Sequence, residues 1–347
     1  MPNFIAVDCG KYDTKVNALL EKSGEQKRFK IRTKMSPGVF EDDMIKRGTM
    51  IVQVDDGPVY TYGYGAVGEP SMETSKKSEI HKIGALAGIA AALGAGEYQD
   101  IYVAIGVPLD ISGNALERIA YKDYILGTEG ETHTVRIKRD SEGPITTTTF
   151  SIKKRYVYPE GSGILWVEPK RMTGATAIID IGNLNTNNLY CESLNPEDRM
   201  CFTGELGGRV LITNIASMLE AELGHRVIES MVASALAKPY AERHLVSTRG
   251  DKSLEERSGE IIANYAYEHV RMIKQQCDVH HWPLEYSNIV CVGGTTKLLT
   301  REITEVFGEN VYIPENQEYA NVCGFLKRMC ATLGVDVDAS EQKRKSA

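Results

Sequence analysis

Two apolar runs in this chain each end in an aspartate, followed two residues later by a glycine and six residues later by a threonine. Ile5-Ala6-Val7-Asp8-Cys9-Gly10 leads to Thr14, and Ile178-Ile179-Asp180-Ile181-Gly182 leads to Thr186. Each reads as a buried strand, a tight turn that needs its glycine, and a returning strand. A later apolar strand in each half also runs into a glycine turn, at Gly106-Val107-Pro108 and at Gly293-Gly294. Such self-similarity is the mark of an internal duplication. It predicts two similarly built α/β lobes, which suits 347 residues, long for a single core.

The remaining pattern fits alternating strands and helices. Strands are expected at Thr14–Leu20, Gln26–Ile31, Met50–Val54 and Val59–Tyr62, the last two flanking the turn signal Asp55-Asp56-Gly57. Ile80, Ile83, Leu86, Ala87 and Ala90 share a helical stripe that Gly94 stops. Ile101–Val107 reads as a strand, Asn114–Leu126 as a helix, and Thr132–Tyr158 as antiparallel strands around Glu142-Gly143-Pro144. In the second half, helices are expected at Arg209–Leu223, Ile261–Cys277, Lys297–Phe307 and Tyr319–Leu333, and strands at Ile289–Val292 and Val311–Ile313. Glu242–Glu256 reads as polar surface, and Asp338–Ala347 as a loose polar tail.

Composition removes several function classes. A net charge of −7 disfavours extended nucleic-acid contact, which needs a basic face. The seven cysteines form no Cys-x-x-Cys pair, so neither a zinc site nor a disulfide framework is expected; reduced thiols in the cytoplasm are. No run approaches the ~20 apolar residues that span a bilayer, and Phe4–Val7 leaves no room for a signal peptide. His280-His281 beside Trp282 reads as a turn after a helix, Cys9 as a buried thiol, and Lys343-Arg344-Lys345 as a solvated run.

The two Asp-x-Gly turns suit phosphate chemistry. The glycine frees backbone amides to face an anion, and the aspartate can hold Mg²⁺ through waters. Lys15, on the strand returning from Asp8, can reach a phosphate as a point charge. Gly293-Gly294-Thr295, between a strand and a helix, permits close approach to a ribose or α-phosphate. Glu160, in Pro159-Glu160-Gly161-Ser162-Gly163, can orient an attacking water, although taken alone it reads as an exposed loop glutamate.

In order and spacing, Asp8-x-Gly10 with Lys15, Glu160, Asp180-x-Gly182, Val292-Gly293-Gly294-Thr295 and Ala320-Asn321-Val322-Cys323-Gly324 resemble the actin superfamily over nearly the whole chain. The subgroup most resembled is that of the ParM-type plasmid-segregation actins of bacteria. The resemblance implies two actin-like, ribonuclease H-like lobes around a central nucleotide cleft, with residues 1–172 plus 320–347 in one and 173–319 in the other. It implies ATP or GTP with Mg²⁺ as ligands, leaving ADP or GDP after hydrolysis.

By position, the resemblance gives Asp8, Gly10 and Lys15 to the first phosphate loop, and Asp180, Gly182 and Asn183 to the second. Asp8 and Asp180 would hold the metal, and Glu160 with Asp180 would position the water. Gly293, Gly294 and Thr295 would form the adenosine loop, and Glu205, in Gly204-Glu205-Leu206-Gly207-Gly208, would lie near ribose and base. Gly10-Lys11-Tyr12-Asp13 and Gly182-Asn183-Leu184-Asn185 depart from the usual loops, which carry small hydroxyl residues or a second glycine. The activity implied is nucleotide-driven head-to-tail filament assembly, with an adaptor joining the filament to DNA and no membrane contact. A sugar-type kinase of the same superfamily is the alternative, although no carboxylate base for a sugar hydroxyl stands out.

Overall fold

A computed structural model describes residues 2–20, 26–68, 75–247 and 250–337. The chain divides into two compact units, Met1–Val167 with Asn321–Ala347, and Glu168–Ala320. The tail from Asp338, with its Lys343-Arg344-Lys345 run, lies outside the described residues.

The first unit is built on strands β1 (Phe4–Cys9), β2 (Asp13–Leu19), β3 (Gln26–Arg32), β4 (Met35–Pro37), β5 (Thr49–Val54) and β6 (Val59–Gly63). Helix α1 (Glu79–Leu93), strand β7 (Gly96–Val107), helices α2 (Leu109–Ser112) and α3 (Ala115–Leu126), strands β8 (Thr132–Lys138) and β9 (Thr146–Pro159), and the short α4 (Ile164–Val167) follow. The nine strands form one sheet in the order β3-β2-β1-β7-β9-β8-β5-β6-β4. β1 is buried along its whole length, between antiparallel β2 and parallel β7, so it shows no polar alternation. Helix α1 packs on β1 and β2, and small residues bring it close: a Cβ on Gly88 would stand 2.8 Å from Val16 Cγ2. Gly94, at φ +84°, ends α1, and the Asn114 side chain accepts from the amides of Leu116 and Glu117 to begin α3.

The second unit runs through β10 (Ala175–Ile181), β11 (Thr186–Glu192), β12 (Asn195–Pro196) and β13 (Phe202–Gly204), then helices α5 (Gly208–Leu223), α6 (Glu229–Leu236) and α7 (Lys252–Val279). Strand β14 (Asn288–Val292) and helix α8 (Thr300–Phe307) follow. Helix α9 (Ala320–Thr332) then supplies the last segment of the first unit. The sheet order is β12-β11-β10-β14, with β13 beside β11.

The duplication expected from sequence is present in the topology. In both units a first strand pairs antiparallel with the next and parallel with a later one, β2-β1-β7 and β11-β10-β14. The hairpin registers coincide as well. Cys9 stands opposite Thr14 and Asp8 opposite Lys15, as Ile181 stands opposite Thr186 and Asp180 opposite Asn187.

Elsewhere the expectations need correction. The Glu242–Glu256 stretch is not simply surface: α7 starts at Lys252, where the Asp251 side chain caps the Leu254 amide. Its first turns are polar because they face water, and burial begins with Ser258 and Ile262. The helix expected from Lys297 starts at Thr300, after a 3₁₀ turn at Thr296–Leu298. Val311–Ile313 makes only one bridge, Tyr312 to Val290. Among the described residues no helix is long and apolar enough to cross a membrane.

Candidate functional site

The first hairpin positions its aspartate by closing tightly. The Gly10 amide donates to the Asp8 carbonyl at 2.9 Å, and a Cβ on Gly10 would sit 2.5 Å from the Asp13 carbonyl oxygen. The link between β3 and β4 clamps the turn. The Thr33 hydroxyl donates to the Gly10 carbonyl at 2.7 Å, and the Thr33 amide donates to the Tyr12 carbonyl at 2.9 Å. Side chains directly opposite in an antiparallel pair share one face. Lys15 Nζ accordingly lies 3.6 Å from Asp8 Oδ2, with both side chains largely buried.

Glu160 is not the exposed loop residue that its glycine-rich surroundings suggest; only 3% of it is accessible. Its amide donates to the Val107 carbonyl at 3.0 Å, which fixes it at the end of β7. The next amide, of Gly161, donates to Asn321 Oδ1 on α9 at 2.9 Å. Gly106 leaves the room, since a Cβ there would stand 3.3 Å from Glu160 Cγ.

The partner of Glu160 is a residue that sequence reasoning missed. Lys76 Nζ donates to Glu160 Oε1 at 2.5 Å, and both side chains are buried. Burial alone would lower the Lys76 pKa, but the charges of Glu160 and Asp8 outweigh it and the net direction is up. Within Ser75-Lys76-Lys77-Ser78, nothing in the sequence distinguishes this lysine from the exposed one beside it.

The surrounding groups are buried and neutral. Burial pushes the Cys9 thiol up to about 12, against the pull of Lys76, so Cys9 is no nucleophile. Burial, with Lys76 and Lys11, lowers His81 to about 3. His81 Nδ1 bonds the Ser78 hydroxyl at 2.8 Å. His81 Nε2 and the Tyr121 hydroxyl are buried without a hydrogen-bond partner. Burial, then the charges of Cys9, Glu160 and Asp8, raises the Tyr121 phenol well above its ordinary value.

The second hairpin repeats the design with different clamps. The Gly182 amide donates to the Asn185 carbonyl at 3.0 Å, and a Cβ on Gly182 would lie 2.9 Å from that oxygen. The Thr295 hydroxyl donates to the Gly182 carbonyl at 2.8 Å, the counterpart of Thr33 at Gly10. The first amides of α5 are also spent here: Gly208 N donates to Gly182 O at 3.0 Å and Arg209 N to Asn183 O at 2.7 Å. Asp180 is 6% exposed and faces Asn187, where the first hairpin has Lys15. The first turn therefore pairs its carboxylate with a cation, and the second sets a neutral amide opposite.

Asp8, Gly10, Lys15 and Glu160 all belong to the first unit, and Asp8, Lys15, Lys76 and Glu160 form one electrostatic group within it. In the second unit, Asp180, Gly182, Asn183, Gly293 and Thr295 come together around one hairpin. Thr295 and the Gly207-Gly208 pair brace that turn, since a Cβ on Gly207 would meet the Asn183 carbonyl oxygen at 2.5 Å. Glu205 is exposed, and its carbonyl accepts from the Gly207 amide. His280 caps α7 and stacks on Phe202 at 3.7 Å, as a turn residue rather than a ligand.

The two adjacent glycines differ sharply. Gly293 has φ +99°, and a Cβ there would overlap Asp180 Oδ1 and the Ile181 carbonyl, whereas one on Gly294 would meet nothing within 4 Å. Gly293→Ala should therefore cost about 1–2 kcal/mol from the backbone conformation alone and displace the Asp180 carboxylate. Gly294→Ala should be nearly silent. Parallel thermal denaturation of the two variants checks this, and equal losses would contradict it.

The donors present fit a hard cation and a polyphosphate in one particular way. Among the described residues no group of three or more His, Cys, Asp or Glu could hold a metal ion by itself. Mg²⁺ keeps several waters and takes one or two carboxylates plus phosphate oxygens, so isolated buried carboxylates beside tight turns suit it. The glycine amides of both turns are consumed internally.

Residues 6–163 match the family model described as the actin-like proteins N terminal domain. No curated protein matches the chain. Solved structures do. An archaeal actin homologue, Ta0583, in complex with ADP aligns at 19% identity and TM-score 0.70, covering 94% of this chain and 98% of that one. The Alp12 filament structure aligns at 21% identity and TM-score 0.69, covering 96% and 99%. The apo pSK41 ParM protein aligns at 13% identity and TM-score 0.67, covering 96% and 98%.

Proposed function

We propose that this chain, whose residues 6–163 match an actin-like N-terminal domain and which has the actin fold along its length, is a nucleotide-driven filament-forming ATPase or GTPase. In this reading it is of the bacterial actin type and moves plasmid DNA through an adaptor protein. The observation that carries the reading is the pair of aspartate–glycine hairpins with matching registers and matching threonine clamps. In each unit a buried carboxylate stands beside a glycine turn, the local arrangement that suits a phosphate and its metal. That solved relatives include one bound to ADP and one in a filament supports the same reading.

The hairpins differ in a way that suits a polyphosphate and its metal. Lys15 offers a positive charge where a β-phosphate would sit, and Asp8 holds that ammonium in place. Asp180 faces Asn187 rather than a lysine, and in this reading it orders the waters of a Mg²⁺ ion. When bound, that ion neutralises charge on the phosphates. Glu160, held by Val107 and by Asn321 through Gly161, is rigid enough to orient a water. Gly294 leaves open space for a nucleoside, while Gly293 lets the backbone close against Asp180 and Ile181 in a conformation that only glycine adopts freely.

Assembly tests the reading directly. Light scattering and pelleting of the purified protein should rise on addition of ATP or GTP with Mg²⁺, and fall again as nucleotide is consumed. No pelletable polymer with either nucleotide, together with turnover stimulated by a sugar, would replace this reading by that of a small-molecule kinase.

A further inference from the structure

We propose that Lys76 is the positioning residue of Glu160: its ammonium fixes one carboxylate oxygen in place and keeps the group in the anionic form that orients a water. The proposal rests on the reading above for what Glu160 does, and its first test needs no nucleotide.

The main chain of Glu160 is fixed by its amide bond to Val107 and by the Gly161 amide on Asn321, and its Cγ packs beside Gly106. Those restraints act on the backbone and the stem. The last torsion of a glutamate is broad, so a carboxylate turns unless something grips its oxygens. Lys76 Nζ, 2.5 Å from Oε1, grips one of them where both side chains are buried. Charge matters as much as direction there. A buried carboxylate without a cation is favoured in its protonated form, and a protonated acid cannot draw a proton from water. The nearby charges do not replace Lys76. Lys15 is paired with Asp8, Asp8 is itself negative, and Lys11 acts on His81. The Cys9 thiol, the Tyr121 phenol and the His81 imidazole are neutral, and α9 brings the neutral Asn321.

The chain delivers Lys76 from a fixed point. Ser75-Lys76-Lys77-Ser78 runs exposed, buried, exposed, buried, the alternation of an extended segment. Lys76 and Ser78 therefore face inward together, while Lys77 Nζ lies 5.9 Å from the centre of the Tyr124 ring. Ser78 anchors the segment: its hydroxyl bonds His81 Nδ1 at 2.8 Å, and its carbonyl accepts from the amides of His81 and Lys82 in the first turn of α1. That helix packs on β1 and β2, the strands that carry Asp8 and Lys15. Lys76 thus meets Glu160 from the same scaffold that sets the first hairpin, which is what positioning a carboxylate requires.

The first measurement reads the ionisation of Glu160 in the full chain without nucleotide, as the carboxylic-acid band in the infrared difference between each protein and its Glu160→Gln counterpart. At neutral pH that band should be missing from the parent and from Lys76→Arg, and present in Lys76→Met. Lys76→Gln carries the same expectation if Lys76→Met does not fold. The second measurement is single-turnover hydrolysis, with nucleotide affinity followed alongside. Lys76→Met should hydrolyse about 10²-fold more slowly while affinity stays within about threefold. The acidic limb of its pH–rate profile should lie about one pH unit or more higher, because without the cation the glutamate keeps its proton to higher pH. Lys76→Arg should return the limb to its parental place. Adding Glu160→Gln to Lys76→Met should slow hydrolysis no further than Glu160→Gln alone, since Lys76 acts through that carboxylate. No acid band in the neutral variants, an unmoved limb, or losses that add in the double variant would each overturn the proposal. So would neutral variants that fail to fold while Lys76→Arg folds, since the pair would then be scaffold. A parent that hydrolyses neither ATP nor GTP would sink the reading of the site above, and the infrared comparison would still decide whether Lys76 holds the charge on Glu160.

Discussion

Replacing Glu160 by glutamine is expected to slow nucleotide hydrolysis by about 10²–10⁴-fold, the range that a positioned acid or base contributes, while nucleotide binding and assembly stay near parental levels. Glutamine keeps the size of the side chain and an oxygen that can still accept from Lys76, so the local packing at Gly106 is preserved. What it removes is the anionic oxygen that would orient the attacking water. In phosphoryl transfer there is little covalent work for the protein beyond positioning and charge, so one misplaced water accounts for most of such a loss. Filaments of the variant should then persist long after those of the parent have disassembled. Single-turnover hydrolysis alongside sedimentation separates the two effects. Hydrolysis at the parental rate would remove Glu160 from the site, and loss of nucleotide binding would make it a structural residue.

The hairpins were legible because their requirements are local. A buried strand needs an apolar run, a tight turn needs glycine, and the returning strand brings the residue seven positions on to face the aspartate, so Asp8, Gly10, Lys15, Asp180 and Gly182 could be read in order. The burial of Glu160 was not legible, because it depends on α9 arriving from far along the chain to place Asn321 against Gly161. Lys76 was hidden for a related reason: its neighbours look like a solvated linker, and only the fold brings it to Glu160. The Thr295 hydroxyl donates to the Gly182 carbonyl, a tie between segments more than a hundred residues apart that a sequence does not show. The start of α7 escaped because its first turns face water, and an amphipathic stripe is visible only where one face is buried.

Gly324 provides a harder test of how the site is assembled. It lies in α9, packed so closely on Gly163 that a Cβ would overlap the Gly163 carbonyl and stand 2.5 Å from its Cα. Every atom it would meet there is backbone, so no side chain can rotate away. Gly324→Ala must push α9 away from the turn between β9 and α4, and overpacking of that kind costs about 1–3 kcal/mol, or more where nothing can yield. The thermal midpoint should fall by roughly 2–4 °C for each kcal/mol. The same displacement pulls Asn321, one helical turn earlier, off the Gly161 amide and loosens Glu160 beside it. Hydrolysis should therefore fall by more than the lost stability explains, even at temperatures where the variant is fully folded. Cys323→Ala, at the neighbouring half-buried position, gives up the weak bonds its sulfur accepts from Asn17 and Arg28, and should cost less stability than Gly324→Ala and leave hydrolysis unchanged. A Gly324→Ala variant with parental stability would mean that α9 does not approach Gly163 this closely, and Glu160 would then owe its position to Val107 and Lys76 without α9.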